Sequence, residues 1–312
     1  MTTKCFDLVR GRRLRVTSLD DCGRLVFGDA VMGVAKAFVS IGLTANTTTS
    51  DEISVTDADG EITVLEAEED SLSSYSAEIV FRRVDPEIFN IITGQNVYRN
   101  YAGDIIGLVV NTKIKAKRFA LEIWAGVNGG DACENPAATG DYGYMLLPNV
   151  KGGVVGDVTI ENGAINFTVS GARSLDGNRW QRGPYNVMLN DAATPVPAPL
   201  PTALDKDDHY LVIAVDVAPP EVLCGARPLL DPTEEALTSI AGAVVGSTAT
   251  FTPTPADISA PAYYEFGDGE YAYLGAGSLA ATSHVYDEPG TYTVKATTNN
   301  KTVTTTVVIA GP

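Results

Sequence analysis

Residues 82–95 read "RRVDPEIFNIITGQ", and this is the one stretch of the chain with a clear helical pattern. Asp85 is a good N-cap, because its short carboxylate can accept from the free amides of a first helical turn. Pro86 suits the first turn, where its missing N–H costs nothing. Glu87 faces the positive end of the helix dipole. Ile88, Phe89, Ile91 and Ile92 fall at helical spacing and form one apolar stripe. Gly94 can close the helix in a left-handed conformation. So short a helix has to bury its stripe on something else. Everything around it reads as strand, so the expectation is a helix closing one end of a β-sandwich.

Short alternating runs of Val, Ile, Thr and Tyr, separated by Gly, Asn and Asp, place strands near 12–17, 35–44, 53–57, 61–66, 75–83, 104–112, 117–127, 142–151, 155–160, 163–171, 183–189 and 209–217. Two hairpins are legible. "ISVTDADGEITVLE" puts Asp59–Gly60 at a two-residue turn and sets Val55 opposite Val64. "VTIENGAINFTVSG" has Asn162–Gly163 between two alternating strands. Prolines at 195, 197, 199 and 201 make a stiff extended loop that cannot lie inside a sheet. More prolines, at 219, 220, 228 and 232, break the pattern again. A domain boundary is expected there: residues 1–217 as one domain, 218–235 as a Pro-rich linker and 236–312 as a second domain. The last segment reads as six or seven short strands with turns between them, as in a small immunoglobulin-like sandwich.

The 312 residues include 39 acids and 22 bases, for a net charge of −17. Such a surface should be soluble and should repel DNA. Residues 221–312 hold ten acids and three bases, so neither part is a basic nucleic-acid module. Cys5, Cys22, Cys133 and Cys224 are far apart, and there are only two histidines, so a zinc site is not expected. Free buried thiols are the favoured reading, with one disulfide, Cys5–Cys22, left open. The N-terminus has no apolar signal region and no run reaches membrane-spanning length, so assembly in a cytoplasm and no membrane partner are expected.

Candidate chemistry is sparse. Asp57, Asp59, Gly60 and Glu66 match part of a calcium-loop spacing, but the first ligand position would be Val55 and the flanks are β-like, so a hairpin is favoured. Asp205, Asp207, Asp208 and His209 in "LDKDDHY" have no partner cluster, and a solvated strand start is favoured. "EFGDGEY", residues 265–271, places acids beside glycines. Two acids at a turn fall short of the six oxygens or so that calcium takes. There is no GxSxG, HExxH or GxxxxGK[ST]. No cofactor and no enzymatic activity are expected. Trp124 and Trp180 are expected in a core or an interface. The basic runs are "KCFDLVRGRRLR" (4–15) and "NTKIKAKRF" (111–119). In the second, a strand would put Lys113, Lys115 and Lys117 on one face, as an edge guarded by lysines or a basic contact for an acidic copy of the same protein.

In order along residues 1–217, "LRVTSLDDCGRLVFG", "ISVTDADGEI", "RRVDPEIFNIITGQ", "GDIIGLVVNT", "FALEIWAGVNGGDAC", "YGYMLLPNVKGGVVGDVTIENGAINFTVSGA" and "GPYNVMLND" resemble the major tail protein, or tail tube protein, of siphophages of actinobacterial hosts. The resemblance implies a β-sandwich/barrel domain with one flanking helix. It implies homohexameric rings stacked into a tube in the virion tail, a conduit for genome ejection. The partners it implies are other copies of the chain, a tape measure protein, a tail terminator, and DNA in transit without specific binding. Asp51 and Glu52 in "TANTTTSDE", Glu68, Glu69 and Asp70 in "EAEEDSLSS", and Lys113, Lys115 and Lys117 are the candidates for ring stacking or for the lumen.

"YYEFGDGEY" (263–271) and "SHVYDEPGTYTVKATTNN" (283–300) resemble the PKD-type Ig-like domain. Tyr263 and Phe266 stand where that family has core aromatics, and Tyr264–Glu265 where it has Trp-Asp. His284, Tyr286, Pro289, Gly290, Tyr292 and Val294 keep the family's spacing. The resemblance implies display outside the tube and weak binding to host-surface glycans. The full expectation is an all-β chain: a tail-tube domain plus a C-terminal Ig-like β-sandwich. The alternatives are a glycan-binding adhesin in which the last domain is the functional module, and a secreted hydrolase, against which the missing catalytic motifs argue.

Overall fold

The computed structural model describes residues 7–36, 38–48, 53–56, 58–60, 62–66, 71–112, 115–128, 142–156, 158, 165–175, 179–222, 224–231, 237–255, 261–275, 281–298 and 301–311. Among the described residues the architecture is almost all β, with one helix, found where the sequence places it. The chain divides into two compact units. The first takes Met1–Leu25 with Gly33–Gly225, and the second takes Val26–Met32 with Ala226–Pro312.

The strands before residue 220 are β1 (Asp7–Leu19), β2 (Gly28–Ala35), β3 (Phe38–Thr48), β4 (Ile53–Thr56), β5 (Ile62–Glu66), β6 (Ser71–Phe81), β7 (Asn96–Arg99), β8 (Ile105–Val109), β9 (Arg118–Asn128), β10 (Tyr142–Lys151), β11 (Val154–Val155), β12 (Phe167–Ser174), β13 (Met188–Leu189), β14 (Pro197–Ala198) and β15 (Leu211–Val215). In the first unit the main sheet runs β1-β9-β10-β12-β6-β3, with β15 on β10 and β11 on β12. The pairs β4-β5, β7-β8 and β13-β14 are separate two-stranded sheets.

β9 explains the layering. Phe119 to Ala125 are all buried, so this strand is covered on both faces. Ala120 and Trp124 belong to a core with Leu19, Tyr144, Leu146, Trp180, Val187, Leu200 and Val215. The alternate residues Phe119, Leu121 and Ile123 are buried as well. The helix α1 (Pro86–Thr93) packs against β1, β7, β8 and β9. Its Asp85 cap accepts from the Glu87 and Ile88 amides at 3.2 and 3.3 Å, and Gly94 ends it at φ 74°. Ile88, Phe89, Ile91 and Ile92 are buried, with Phe89 against Phe81 at 5.1 Å between ring centroids.

Several expectations shift. β1 is longer than 12–17, because bulges at Val9/Gly11 and Gly11/Arg13 let it continue against β9. β2 and β7 were not anticipated. The residues expected as strand at 183–189 are strand only at 188–189. Those before it turn, through Gly183 at φ 79°, so that Tyr185 and Val187 can pack inward. The expected hairpin at Val55 and Val64 has that register. Asn162–Gly163 lies outside the described residues, but β11 and β12 on either side pair antiparallel. The Cys5–Cys22 pairing is not formed: Cys22 is a free thiol, and both it and Cys224 are exposed rather than buried. Cys22 sits on a turn whose amide donates to Asp20 Oδ1 at 2.8 Å, which keeps it at the surface.

The second unit holds β16 (Arg227–Leu229), β17 (Ser239–Val245), β18 (Thr248–Thr254), β19 (Ala262–Glu265), β20 (Tyr271–Leu274), β21 (Thr282–Val285), β22 (Gly290–Thr298) and β23 (Lys301–Ile309). Two sheets, β17-β18-β21 and β20-β19-β22-β23, enclose one core. Within the stretch expected as a linker, Ala226–Leu230 is buried, and β16 pairs with β2 through Arg227↔Met32 and Leu229↔Gly28.

Asp85→Ala is expected to lower stability by about 1–2 kcal/mol, because the cap also accepts from the Gly225 amide at 2.7 Å. The urea-unfolding midpoint of the full chain measures it.

Candidate functional site

Of the residues proposed from sequence for stacking or the lumen, Asp51, Glu52, Glu68, Glu69, Asp70 and Lys113 lie outside the described residues. Lys115 and Lys117 do not share a strand face, because β8 ends at Val109 and β9 begins only at Arg118. Lys115 instead pairs with Asp21, both well exposed. Lys117 donates to Asn90 Oδ1 at 3.1 Å, and burial of its stem lowers its pKa. His209 does not join the acids of "LDKDDHY" either. Its Nδ1 meets Ser174 Oγ at 3.0 Å, while the Asp205 amide donates to Asp208 at 2.8 Å. Among the described residues no three His, Cys, Asp or Glu side chains are grouped to hold a metal ion.

The most concentrated buried chemistry in the first unit was not foreseen. Arg15 on β1 and Glu122 on β9 are register partners, and both side chains are buried. Arg15 Nε and Nη2 donate to the two carboxylate oxygens at 2.6 and 2.5 Å, the forked geometry in which Arg–carboxylate pairs are strongest. Tyr144 O–H donates to the same carboxylate at 2.7 Å. The guanidinium lies 3.2 Å from the Tyr185 ring centroid and 4.9 Å from that of Trp124. Tyr185 OH meets Thr17 Oγ1 at 2.9 Å. Burial opposes the Arg15 charge, and Glu122 more than reverses that, leaving its pKa raised. Burial and then the Glu122 charge push the Tyr144 phenol well up. A cavity of about 140 Å³ beside the cluster is lined by Arg15, Trp124, Tyr185, Val187 and Pro220 among others. With each charge answered, the arrangement holds strands together and offers no activated nucleophile.

In the second unit, "EFGDGEY" is a turn between β19 and β20. Gly267 and Gly269 have φ 90° and 100°, and the Glu270 amide donates to Asp268 Oδ1 at 3.0 Å. A Cβ on Gly267 would stand 2.7 Å from the Thr293 carbonyl oxygen, so only glycine fits. Asp268 Oδ2 lies 2.6 Å from His284 Nε2. The His284 ring stacks on Phe266 at 4.0 Å and meets Tyr286 edge-on at 4.6 Å. Burial pushes the Asp268 carboxyl up, but the His284 hydrogen bond and the Glu270 amide outweigh it and leave the pKa below the ordinary value. Tyr264 and Phe266, two apart, point into the core, so Tyr264 rather than Tyr263 is the core aromatic beside Phe266. Tyr264 fills its place completely, with its hydroxyl buried and without a hydrogen-bond partner, and burial pushes its phenol up to about 12.

Residues 237–308 match the family model of the PKD domain. The chain therefore carries a PKD domain in its second unit. No curated protein matches the chain. Residues 1–236 lie outside the PKD match.

The surface has its own features. β3 is a sheet edge of eleven residues, "FVSIGLTANTT", without a charge or a proline, and among the described residues nothing pairs with its outer side. The β7-β8 hairpin exposes Tyr98, Tyr101 and Ile106, with Val110 just beyond it. On the outward face of the PKD domain's larger sheet, Tyr263 pairs with Tyr273, and Glu265 with Tyr271 and Lys295. The Arg227 guanidinium lies 4.2 Å from the Tyr271 ring centroid.

Two measurements follow from these sites. Glu122→Leu leaves a buried guanidinium unpaired and is expected to cost about 3–5 kcal/mol, most of it recovered in the Arg15→Met/Glu122→Leu double variant. Urea unfolding of the three proteins reads both effects. Because the folded pKa of Asp268 is depressed, its contribution is present above the unfolded carboxylate value of about 3.9 and is lost as pH falls through the lower folded value. Hydrogen exchange in β19 and β20 of the full chain should accelerate through that acid range, and Asp268→Asn should flatten the dependence.

Proposed function

We propose that the chain is a structural subunit of a phage tail tube: homohexameric rings, stacked into a conduit for genome ejection in the virion tail, with the PKD domain as an exterior decoration. The observation that carries this reading is the bare edge of β3. Long uncharged edges are a hazard that monomeric proteins blunt with lysine, proline or bulges; β3 has neither lysine nor proline, and its irregularities lie near its two ends, at Phe38/Ser40 and Asn46/Thr47, so residues 40–46 stay a regular edge, a hazard that pairing with a neighbouring chain removes. The exposed apolar residues of the β7-β8 hairpin point the same way, since such patches mark interaction surfaces. The ordered run of stretches resembling tail tube proteins supports it further, as does one helix among the otherwise β described elements of the first unit. In this role the chain works without catalysis. A net charge of −17 suits a wall past which DNA slides without sticking. The tape measure protein and the tail terminator are the other partners, and assembly takes place in the host cytoplasm.

A second reading is favoured by the PKD domain itself. The half-buried Tyr263 and Tyr273, paired on the face of the larger sheet away from its core and flanked by Glu265 and Lys295, suit stacking against a host-surface glycan, while Tyr271 already carries Arg227 on its ring; such binding would make the chain an adhesin. Deleting 221–312 separates the two. Assembly and infection that survive the deletion place the function in the first unit, and loss of adsorption alone favours the second reading.

Negative-stain electron microscopy of the purified full chain is expected to show rings or tubes of uniform width. Gly42 is exposed and a Cβ there meets nothing within 4 Å, so Gly42→Lys is expected to fold normally and to shift the protein to monomers by guarding the edge. A wild-type chain that stays monomeric at every concentration and is absent from virions overturns the tail-tube reading.

A further inference from the structure

Arg15 uses only part of its hydrogen-bonding capacity. Its guanidinium offers N–H donors on three nitrogens. Nε and Nη2 are taken by Glu122 at 2.6 and 2.5 Å, and among the described residues Nη1 donates to nothing. The residue is only 6% exposed, and a donor so deep in a protein ordinarily finds an acceptor. What Arg15 has beside it is space, for it lines the cavity of about 140 Å³. A single water needs only about 10–15 Å³, so the cavity has room for a small organic group.

The walls set what that group must be. The Tyr185 ring centroid lies 3.2 Å from the guanidinium carbon and that of Trp124 lies 4.9 Å away. The Tyr185 ring covers the guanidinium, so a ligand meets Arg15 at its Nη1 edge rather than over its face. Val187 and Val217 supply apolar wall, and Asn186 an amide that can both donate and accept. Asn186 and Ala218 are exposed, so the cavity opens to the surface beside them.

Charge narrows the choice further. Glu122 already cancels the Arg15 charge through the forked contact. A second carboxylate at Nη1 would stand close to Glu122 in surroundings of low dielectric and be repelled. The acceptor that Nη1 lacks is therefore an uncharged one, carried on a group with an apolar part. An acetamido group combines these features: a carbonyl oxygen for Nη1, an N–H for the Asn186 side-chain carbonyl, and a methyl for the valines and the Trp124 ring.

We infer that this cavity binds the acetamido group of a small N-acetylated ligand, with Arg15 Nη1 and Asn186 as its polar contacts. The site lies wholly within the first unit and does not depend on self-assembly.

Saturation-transfer NMR on the full chain tests it. The probes are N-acetylglucosamine and Nε-acetyl-lysine, with glucose and lysine as counterparts that lack the acetyl group. The acetyl methyl is expected to be the most strongly saturated part of the probe, with half-saturation at roughly millimolar concentration and with glucose and lysine silent. The probe with the lower half-saturation names the carrier, a sugar or an acylated amine. Asn186→Leu and Ala218→Trp change exposed positions on the cavity, and each is expected to raise half-saturation at least about tenfold with unchanged circular dichroism. Acetate that displaces the probe as well as acetamide does overturns the assignment to an uncharged group. No saturable signal from either probe, an equal signal from glucose, or wild-type half-saturation in both variants overturns the site. If Ala218→Trp misfolds, Asn186→Leu decides by itself. Rings or tubes formed by a chain that binds neither probe leave the tail-tube reading standing while removing this one.

Discussion

The buried Arg15–Glu122 pair is the constraint around which the first unit is arranged. The two residues are 107 positions apart in sequence and directly opposite in β1 and β9. Shifting either strand by one residue would send one charge to the other face of the sheet, away from its partner. Desolvating a guanidinium or a carboxylate alone costs several kcal/mol, so every shifted register is heavily penalised. The pair therefore adds less to net stability than to the choice of one register. The Tyr144 hydroxyl then fixes β10, and Tyr185, stacked on the guanidinium, brings in the irregular segment after Trp180. Strands far apart in sequence and a loop without regular structure are aligned by one polar group and its satisfied neighbours.

The PKD domain meets the same requirement differently. Its polar constraint lies at the rim of its core, where the Asp268 turn is tied to His284, and the interior is aromatic: Phe251, Tyr264, Phe266 and Tyr286. The glycines of the turn let β19 run directly into β20. The carboxylate between them serves its own turn amide and the histidine of a neighbouring strand. Acids beside glycines thus form a structural device, and both oxygens of Asp268 are engaged within the domain.

What could be read in the sequence followed the range of the interactions. The helix at 86–93 was legible because its cap, its stripe and its closing glycine are local signals within ten residues. The Asp59–Gly60 hairpin and the Gly267–Gly269 turn were legible for the same reason. β2 was not, because Gly28 and Gly33 interrupt its apolar residues and its pairing is set by distant strands. Glu122 looked like a lone charge within an apolar run, "LEI", and Arg15, between Leu14 and Val16, like the last member of a basic run, and nothing local names either partner. A charged residue flanked by apolar ones, in two runs that each read as buried strand, was the available signal. The lysines at 113, 115 and 117 failed in the opposite way: alternation suggested a strand face, but the backbone there is a connection.

Charge distribution divides the labour between interior and surface. Inside, the Arg15 charge is cancelled at once by a forked carboxylate and shielded by aromatic rings. Outside, acids outnumber bases widely, and the exposed arginines of β1 are concentrated where two bulges hold them. A uniformly acidic surface repels others like it, and gathering the arginines of β1 at one place makes that repulsion uneven over the surface. The β3 edge could pair with many strands, because backbone hydrogen bonds carry little sequence information. The edge itself is uncharged, so what limits such pairing is the repulsion between chains that each carry −17.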